Sequence, residues 1–224
     1  MEPKLSRDFF LLSLNPKNGY YFNYGSEFGY GLLGAMLADL YRCGKIRFEN
    51  KKVVLIDASP GSYPYFNQII DLLQRKGKIS ISGLLGRMAF KSGFYKKELI
   101  KTLSDNGDLI MVRKKFLLIP YKRYFPAKRD ERMETIRHFR NILLRNQPPV
   151  SDDLLFMSLI HICRLYRSLS DMRDERRIMR SKMKLLLKNG YQYSENYDQL
   201  KALHSGIKQA IMAAHATKGT ASGI

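Results

Sequence analysis

Between Leu154 and Tyr166 the chain carries Leu154, Leu155, Met157, Leu159, Ile160, Ile162, Leu165 and Tyr166, which fall on every side of a helix rather than on one stripe. A helix without a polar face has to be surrounded by protein, because water on any side would meet apolar surface. The pattern predicts a buried central helix from Leu154 to Leu169, with Ser151 as its N-cap and Asp152 and Asp153 in its first turn. Its surroundings come from a chain of 224 residues that is 45% hydrophobic, ample for one core. Pro148 and Pro149 stop a charged amphipathic helix read over 127–147, with Met133, Ile136 and Ile142 turned inward. Further amphipathic helices are read over 171–188 and 197–214, and residues 217–224 read as a frayed tail.

The first half opens with a short helix marked by Leu5, Phe9 and Leu12, then the turn formers of 15–19. An aromatic, glycine-rich stretch over 20–31 leads into a helix with Leu33, Leu37, Leu40 and Tyr41 as its stripe, and Gly44 is placed to end it in a left-handed cap. Beyond Gly44 the period changes to that of strands, and 46–56 reads as a β-hairpin. The same order recurs 63 residues later: Leu40, Gly44, Ile46, Phe48, Lys51 and Lys52 correspond to Leu103, Gly107, Leu109, Met111, Lys114 and Lys115. Two helix–glycine–hairpin units follow, the second hairpin over 109–119. A helix is also read from Phe66 to Gln74, before the basic loop at 75–78. The expected fold is mainly α: a single helical-bundle domain over residues 1–216 with a buried central helix and short β-hairpins.

Charge points to phosphate-bearing partners. Lys and Arg number 39 against 20 Asp and Glu, a formal charge of +19, which raises a positive surface potential. From Gly86 to Arg145 there are 16 basic and 6 acidic residues, and from Leu109 to Arg129 seven basic and no acidic ones. Arg113, Lys114 and Lys115 are expected at the tip of the second hairpin, with Tyr121, Tyr124 and Phe125 after it; read alone, they are as well suited to solubilising an exposed turn. No apolar run reaches the roughly 18 to 20 residues that span a bilayer, and the N-terminus does not read as a signal peptide. The expected location is cytoplasmic, with peripheral contact at the cytoplasmic membrane face.

Catalytic, metal and cofactor signatures are missing from the pattern. Cys43 and Cys163 read as reduced core thiols. His161 and Cys163, two apart on a helix, point away from each other and read as core residues. His138, His204 and His215 have no partners at ligand spacing. The glycines of 28–34 follow no apolar strand, so they read as the start of a helix packed closely on a neighbour rather than as a nucleotide loop. A non-enzymatic protein without a cofactor is the expectation.

The order and spacing of LSRDFFLLSLNPKNGYYF at 5–22, LLGAMLADLYRCGKIRF at 32–48, DASPGS at 57–62, LIKTLSDNGDLIMVRKKFLLIPY at 99–121, DDLLFMSLIHICRLY at 152–166 and the closing IKQAIMAAHATK resemble the Golgi phosphoprotein 3 family over nearly the whole chain. The resemblance implies one helical domain, a projecting hairpin linked to self-association, peripheral binding to phosphatidylinositol 4-phosphate, and, for eukaryotic members, an adaptor role that retains glycosyltransferases. The compact chain resembles bacterial members. In the family's lipid site the tryptophan falls at Tyr24 here, one arginine at Leu33, and two further arginines at Gly93 and Lys96. With bidentate arginines replaced, the grip on a phosphomonoester weakens. The anion-binding candidates are therefore Tyr24, Lys96, Lys97 and Lys91, and the self-association candidates Met111, Arg113, Lys114, Lys115 and Phe116. Two other readings stand beside the lipid adaptor. A helix followed by a basic hairpin is also the outline of a winged helix, so DNA is an alternative partner, and an oligomeric scaffold with an incidental basic surface is the third.

Overall fold

The computed structural model describes residues 4–23 and 25–221; for Phe116, Tyr191 and residues 217–221 only the backbone is described. In chain order the elements are α1 (Lys4–Ser13), α2 (Ser26–Arg42), β1 (Ile46–Glu49), β2 (Lys52–Leu55), α3 (Pro64–Lys76), β3 (Ile79–Ser80), α4 (Ile81–Ala89), α5 (Ser92–Asp105), β4 (Leu109–Phe116), β5 (Ile119–Pro126), α6 (Arg129–Arg145), α7 (Ser151–Ile162), α8 (Arg173–Lys188) and α9 (Tyr197–Ala221). The fold is mainly α, with only short strand pairs. The described part of the tail continues α9 to Ala221, and the remainder lies outside the described residues.

Burial is shared by two helices. In α7 every residue from Asp153 to Ile160 is buried, as the all-round apolar pattern requires. The helix stops earlier than expected: Cys163 is its C-cap, Arg164 turns left-handed at φ 54°, and Leu165–Ser168 forms a separate 3-10 turn. Apolar residues continue through Leu169, so the pattern alone gives no stop there. The first residues differ as well, since Val150 is the N-cap and its N–H donates to the Asp153 carboxylate at 2.9 Å, while the Ser151 hydroxyl is engaged with Ser194.

The second buried helix is α2, in which all residues from Gly31 to Leu40 are buried. Leucines on one stripe cannot do this alone. Gly31 sits against Phe9 and the Cys163 thiol, and Gly34 against Ile207 and Leu159, where a Cβ would collide with the neighbour. The glycines thus admit α1, α7 and α9 to close packing on α2.

A buried carboxyl lies in this packing. Asp39, 1% exposed, accepts the N–H groups of Leu5 at 2.8 Å and Ser6 at 2.9 Å and the Ser6 hydroxyl at 2.6 Å. Those amides belong to the first turn of α1 and have no partner within it, so a side chain of α2 caps α1.

Both helix–glycine–hairpin units exist. Gly44 and Gly107 each have φ 70°, and each is followed by an amide that reaches back into the helix, Lys45 to Leu40 and Asp108 to Leu103. The hairpins differ. The first turns through Asn50 and Lys51, both left-handed, the two-residue geometry that suits a twisted ribbon; β3 adds a third strand through β2. The second is twice as long and turns at Leu117–Leu118, with Phe116 paired to Ile119. Arg113, Lys114 and Lys115 therefore lie within β4, not at the tip. No Gly, Asn or Asp marks the true turn, so copying the first hairpin's register placed it too early.

Burial pushes the Asp39 carboxyl up to about 6, against the opposing hydrogen bonds from Ser6 and Leu5. A folded-state value above the unfolded value of about 4 means that ionising Asp39 costs stability: its contribution is full below pH 4 and lost as pH rises through 6. In urea titrations the wild type should gain about 1 to 3 kcal/mol on an Asp39→Asn variant as pH falls from 7 to 4.5; parallel profiles would refute this.

Candidate anion-binding surface

The β4–β5 ribbon is fixed to the bundle at its base. Asp108, just before β4 and buried, receives Arg7 from α1 through Nε at 2.9 Å and Nη2 at 3.1 Å, and Lys128, just after β5, at 3.0 Å. Its carbonyl also accepts the Ala127 N–H at 2.9 Å. Burial works against the Asp108 charge, but the Arg7 and Lys128 partners outweigh it and hold the carboxyl below its usual range. Glu131 and Asp8 contact the same guanidinium. Beside this clamp Gly19, at φ 69°, lies against the Phe125 ring. Both ends of the ribbon are thereby tied to α1 and to the loop that follows it.

Away from the base the ribbon carries two kinds of side chain. Leu117, Leu118 and Ile119 at the turn are 82%, 93% and 67% exposed. Leu117 also adopts φ 54°, a conformation that costs a branched side chain energy. Behind the turn Arg113, Lys114, Lys115 and Lys122 are exposed. Arg113 and Lys122 are direct cross-strand partners, and like charges in that position destabilise a ribbon unless an anion lies between them. At about 3.3 Å per residue, Lys115 and Arg113 lie about 7 and about 13 Å behind the turn along the ribbon.

The α5 candidates sit nearer the bundle. Lys91, at the start of α5, and Lys97 are exposed, whereas Lys96 is half-buried, 4.5 Å from the centre of the Tyr21 ring and 5.8 Å from that of Phe28. Burial lowers the Lys96 pKa. The next ring along the loop, Tyr20, lies under the Arg123 guanidinium, which is also 4.7 Å from the centre of Tyr121. Lys96, Tyr21, Tyr20, Arg123 and Tyr121 thus form a line of cations and rings from α5 to the ribbon. Tyr24 lies outside the described residues. Leu33 is 2% exposed, so the position expected to face a headgroup is in the core, while Gly93 opens to space. Of the four positions carried by the family resemblance, the structure puts Gly93 at the surface and Lys96 partly so.

Sequence reasoning missed three features: the apolar turn, the bridging Arg123, and Phe90, which is 94% exposed between the exposed Arg87 and Lys91. Only Phe90 had a readable signal, an apolar residue between two helices in a basic stretch. Elsewhere, Cys163 is buried as expected, but His161 is half-exposed. His138 meets Asp153 at 2.7 Å across the α6–α7 contact, which spacing in the sequence cannot reveal. Among the described residues no cluster of three or more His, Cys, Asp or Glu side chains could hold a metal, and no helix is long and apolar enough to cross a membrane.

The Golgi phosphoprotein 3 (GPP34) family model matches residues 5–211, from the first buried leucine of α1 into α9. The chain belongs to that family. No curated protein matches it. The family match extends over both buried helices and the ribbon, so the ribbon is part of the family domain rather than an addition to it.

The clamp predicts how firmly the ribbon is held. Replacing Asp108 by Ala leaves Arg7 partly buried without its main partner, a loss of about 3 to 5 kcal/mol where such a pair is fully buried and less here. Hydrogen exchange of amides 109–126 should then speed by at least about tenfold while α2 and α7 stay protected; unchanged ribbon exchange would show that the clamp does not hold it.

Proposed function

We propose that the protein is a non-enzymatic peripheral membrane adaptor that binds anionic phospholipid surfaces with its β4–β5 ribbon and the adjoining basic corner of α5. The observation that carries this reading is the exposed Leu117–Leu118–Ile119 turn with Arg113, Lys114, Lys115 and Lys122 immediately behind it. Apolar residues at the end of a ribbon with cations about one headgroup thickness back match the polarity profile of a bilayer surface. Each basic residue near an anionic surface contributes about 1 kcal/mol, and each large apolar side chain taken from water about 1.5 to 3 kcal/mol. Phe90 and Lys91 repeat the pairing at the α4–α5 corner.

Selectivity for phosphatidylinositol 4-phosphate is weak in this reading. Leu33 is turned into the core, Gly93 offers no side chain, and Lys96 is a point charge where a fork of donors would grip a phosphomonoester. The outer edges of the two-stranded ribbon pair with no other strand among the described residues; they supply a surface for self-association, and protein clients complete the adaptor role.

The test is co-sedimentation with vesicles containing phosphatidylserine across a salt series. The wild type should bind at low salt and release as salt rises, with little further gain from phosphatidylinositol 4-phosphate. Leu117→Ser with Leu118→Ser should lower partitioning by about tenfold or more at every salt concentration, whereas Arg113→Ala with Lys115→Ala should flatten the salt dependence. Deleting residues 111–117 should reduce the mass measured in solution. A wild type that ignores anionic vesicles yet shifts duplex DNA would replace this reading with the winged-helix one.

A further inference from the structure

A cleft of about 500 Å³ opens where α2 begins, walled by the end of α7, the turn after it, α8 and α9. None of its lining residues belongs to the ribbon or to α5. Three cations converge on it from three segments, Arg164 after α7, Arg180 on α8 and Lys208 on α9. All three are exposed and none forms an ion pair among the described residues. The one carboxylate in the lining, Glu27, lies 3.6 Å from His215. Arg164 also holds the left-handed φ of 54°, and such strain at the rim of a cleft points toward use.

Two histidines add directed donors. The Tyr166 hydroxyl meets His161 Nδ1 at 2.6 Å, and the Ser158 hydroxyl meets His204 Nδ1 at 2.7 Å. With each hydroxyl as the donor to Nδ1, the ring proton sits on Nε2 and each imidazole has an N–H to offer elsewhere. Burial, His161 and Lys208 hold His204 down to about 4, and burial with Arg180, Lys184 and Lys208 lowers His161. Both shifts favour the uncharged ring, which keeps one N–H to donate inside a positive field.

The remaining wall is apolar, with Ile162, Ile211 and the 61% exposed Met212. On α9 the residues His204, Lys208, Ile211 and Met212 recur at helical spacing, so one helix face carries both the polar and the apolar lining. The volume falls in the range of small-ligand sites. A bare phosphate would satisfy the cations and leave the Ile211–Met212 wall uncovered.

We propose that this cleft is a second anion site, which binds a phosphomonoester carrying an apolar or aromatic body: Arg164, Arg180 and Lys208 take the phosphate, His161 and His204 donate to it, and Ile211 and Met212 cover the body. The phosphomonoester comes either from a soluble metabolite or from a lipid headgroup with one acyl chain bent into the cleft.

The test uses the full chain and phenyl phosphate as probe, followed by calorimetry and by the methyl resonance of Met212 at low salt. Phenyl phosphate should saturate and shift Met212, binding about tenfold more tightly than inorganic phosphate because only the ester covers the apolar wall. Arg180→Ala with Lys208→Ala, both at exposed positions, should weaken it by about tenfold or more, while Leu117→Ser with Leu118→Ser leaves it unchanged. Vesicles containing phosphatidic acid separate the two sources. If the Arg180 and Lys208 substitutions also weaken vesicle binding in the Leu117 and Leu118 background, the ester is a lipid's; if they abolish phenyl phosphate binding alone, it is soluble. No saturation at millimolar phenyl phosphate, or saturation indifferent to Arg180 and Lys208, would overturn the proposal.

Discussion

Asp39 sits on the helix whose middle is buried on every side, and its carboxylate takes two amide hydrogens and a hydroxyl from the first turn of α1. A buried carboxylate is costly unless its acceptors are filled, and unpaired amides at a helix start are costly in turn. Each cost is met by the other group only when α1 lies across α2 in one orientation. That orientation also sets the direction of Arg7, and Arg7 is what Asp108 at the base of the ribbon pairs with. A single core hydrogen-bond set therefore fixes where the ribbon leaves the bundle, three elements away.

The ribbon is an unusual structure to leave in water. Its turn is built from leucines where glycine or asparagine would cost less, and a row of cations is pressed together on adjacent strands. Both features destabilise the isolated ribbon; a layer of anions above an apolar phase relieves the crowding of charge and offsets the cost of the turn by taking its side chains from water. The clamp of Arg7, Asp108 and Lys128 supplies what the ribbon lacks by itself, so its stability depends on the bundle and its sequence is free to serve contact. The cleft at the start of α2 has the same logic on a smaller scale, with three cations that form no ion pair among the described residues and an apolar wall beside them.

How much could be read from the sequence follows from whether a feature is local. Gly44 and Gly107 announced their helix ends because a left-handed cap needs glycine, and the apolar ring of α7 announced its burial. The end of α7 was not legible, since Arg164 takes a left-handed conformation that its side chain does not advertise. The ribbon's turn was missed because 109–126 contains no Gly, Asn or Asp to mark it, and Pro120, the one turn former near it, lies inside β5. The full burial of α2 needed Gly31 and Gly34 to be seen as contact points with Cys163 and Ile207, far apart in the chain. The same burial explains why Leu33 faces inward where the family resemblance placed an arginine at the lipid. The cleft histidines lie on two helices that meet only after folding, so spacing marked neither.

The chain contains no tryptophan, so one introduced residue reports without background. With Leu118→Trp in the full chain, the emission maximum is followed as vesicles containing phosphatidylserine are added, and quenching is compared for nitroxides at the headgroup and along the acyl chain. If the ribbon turn enters the membrane, emission moves to the blue and acyl-chain nitroxides quench it most strongly. Emission that stays at its value in water while the protein co-sediments with the same vesicles would contradict the account, because binding would then use a surface other than the ribbon.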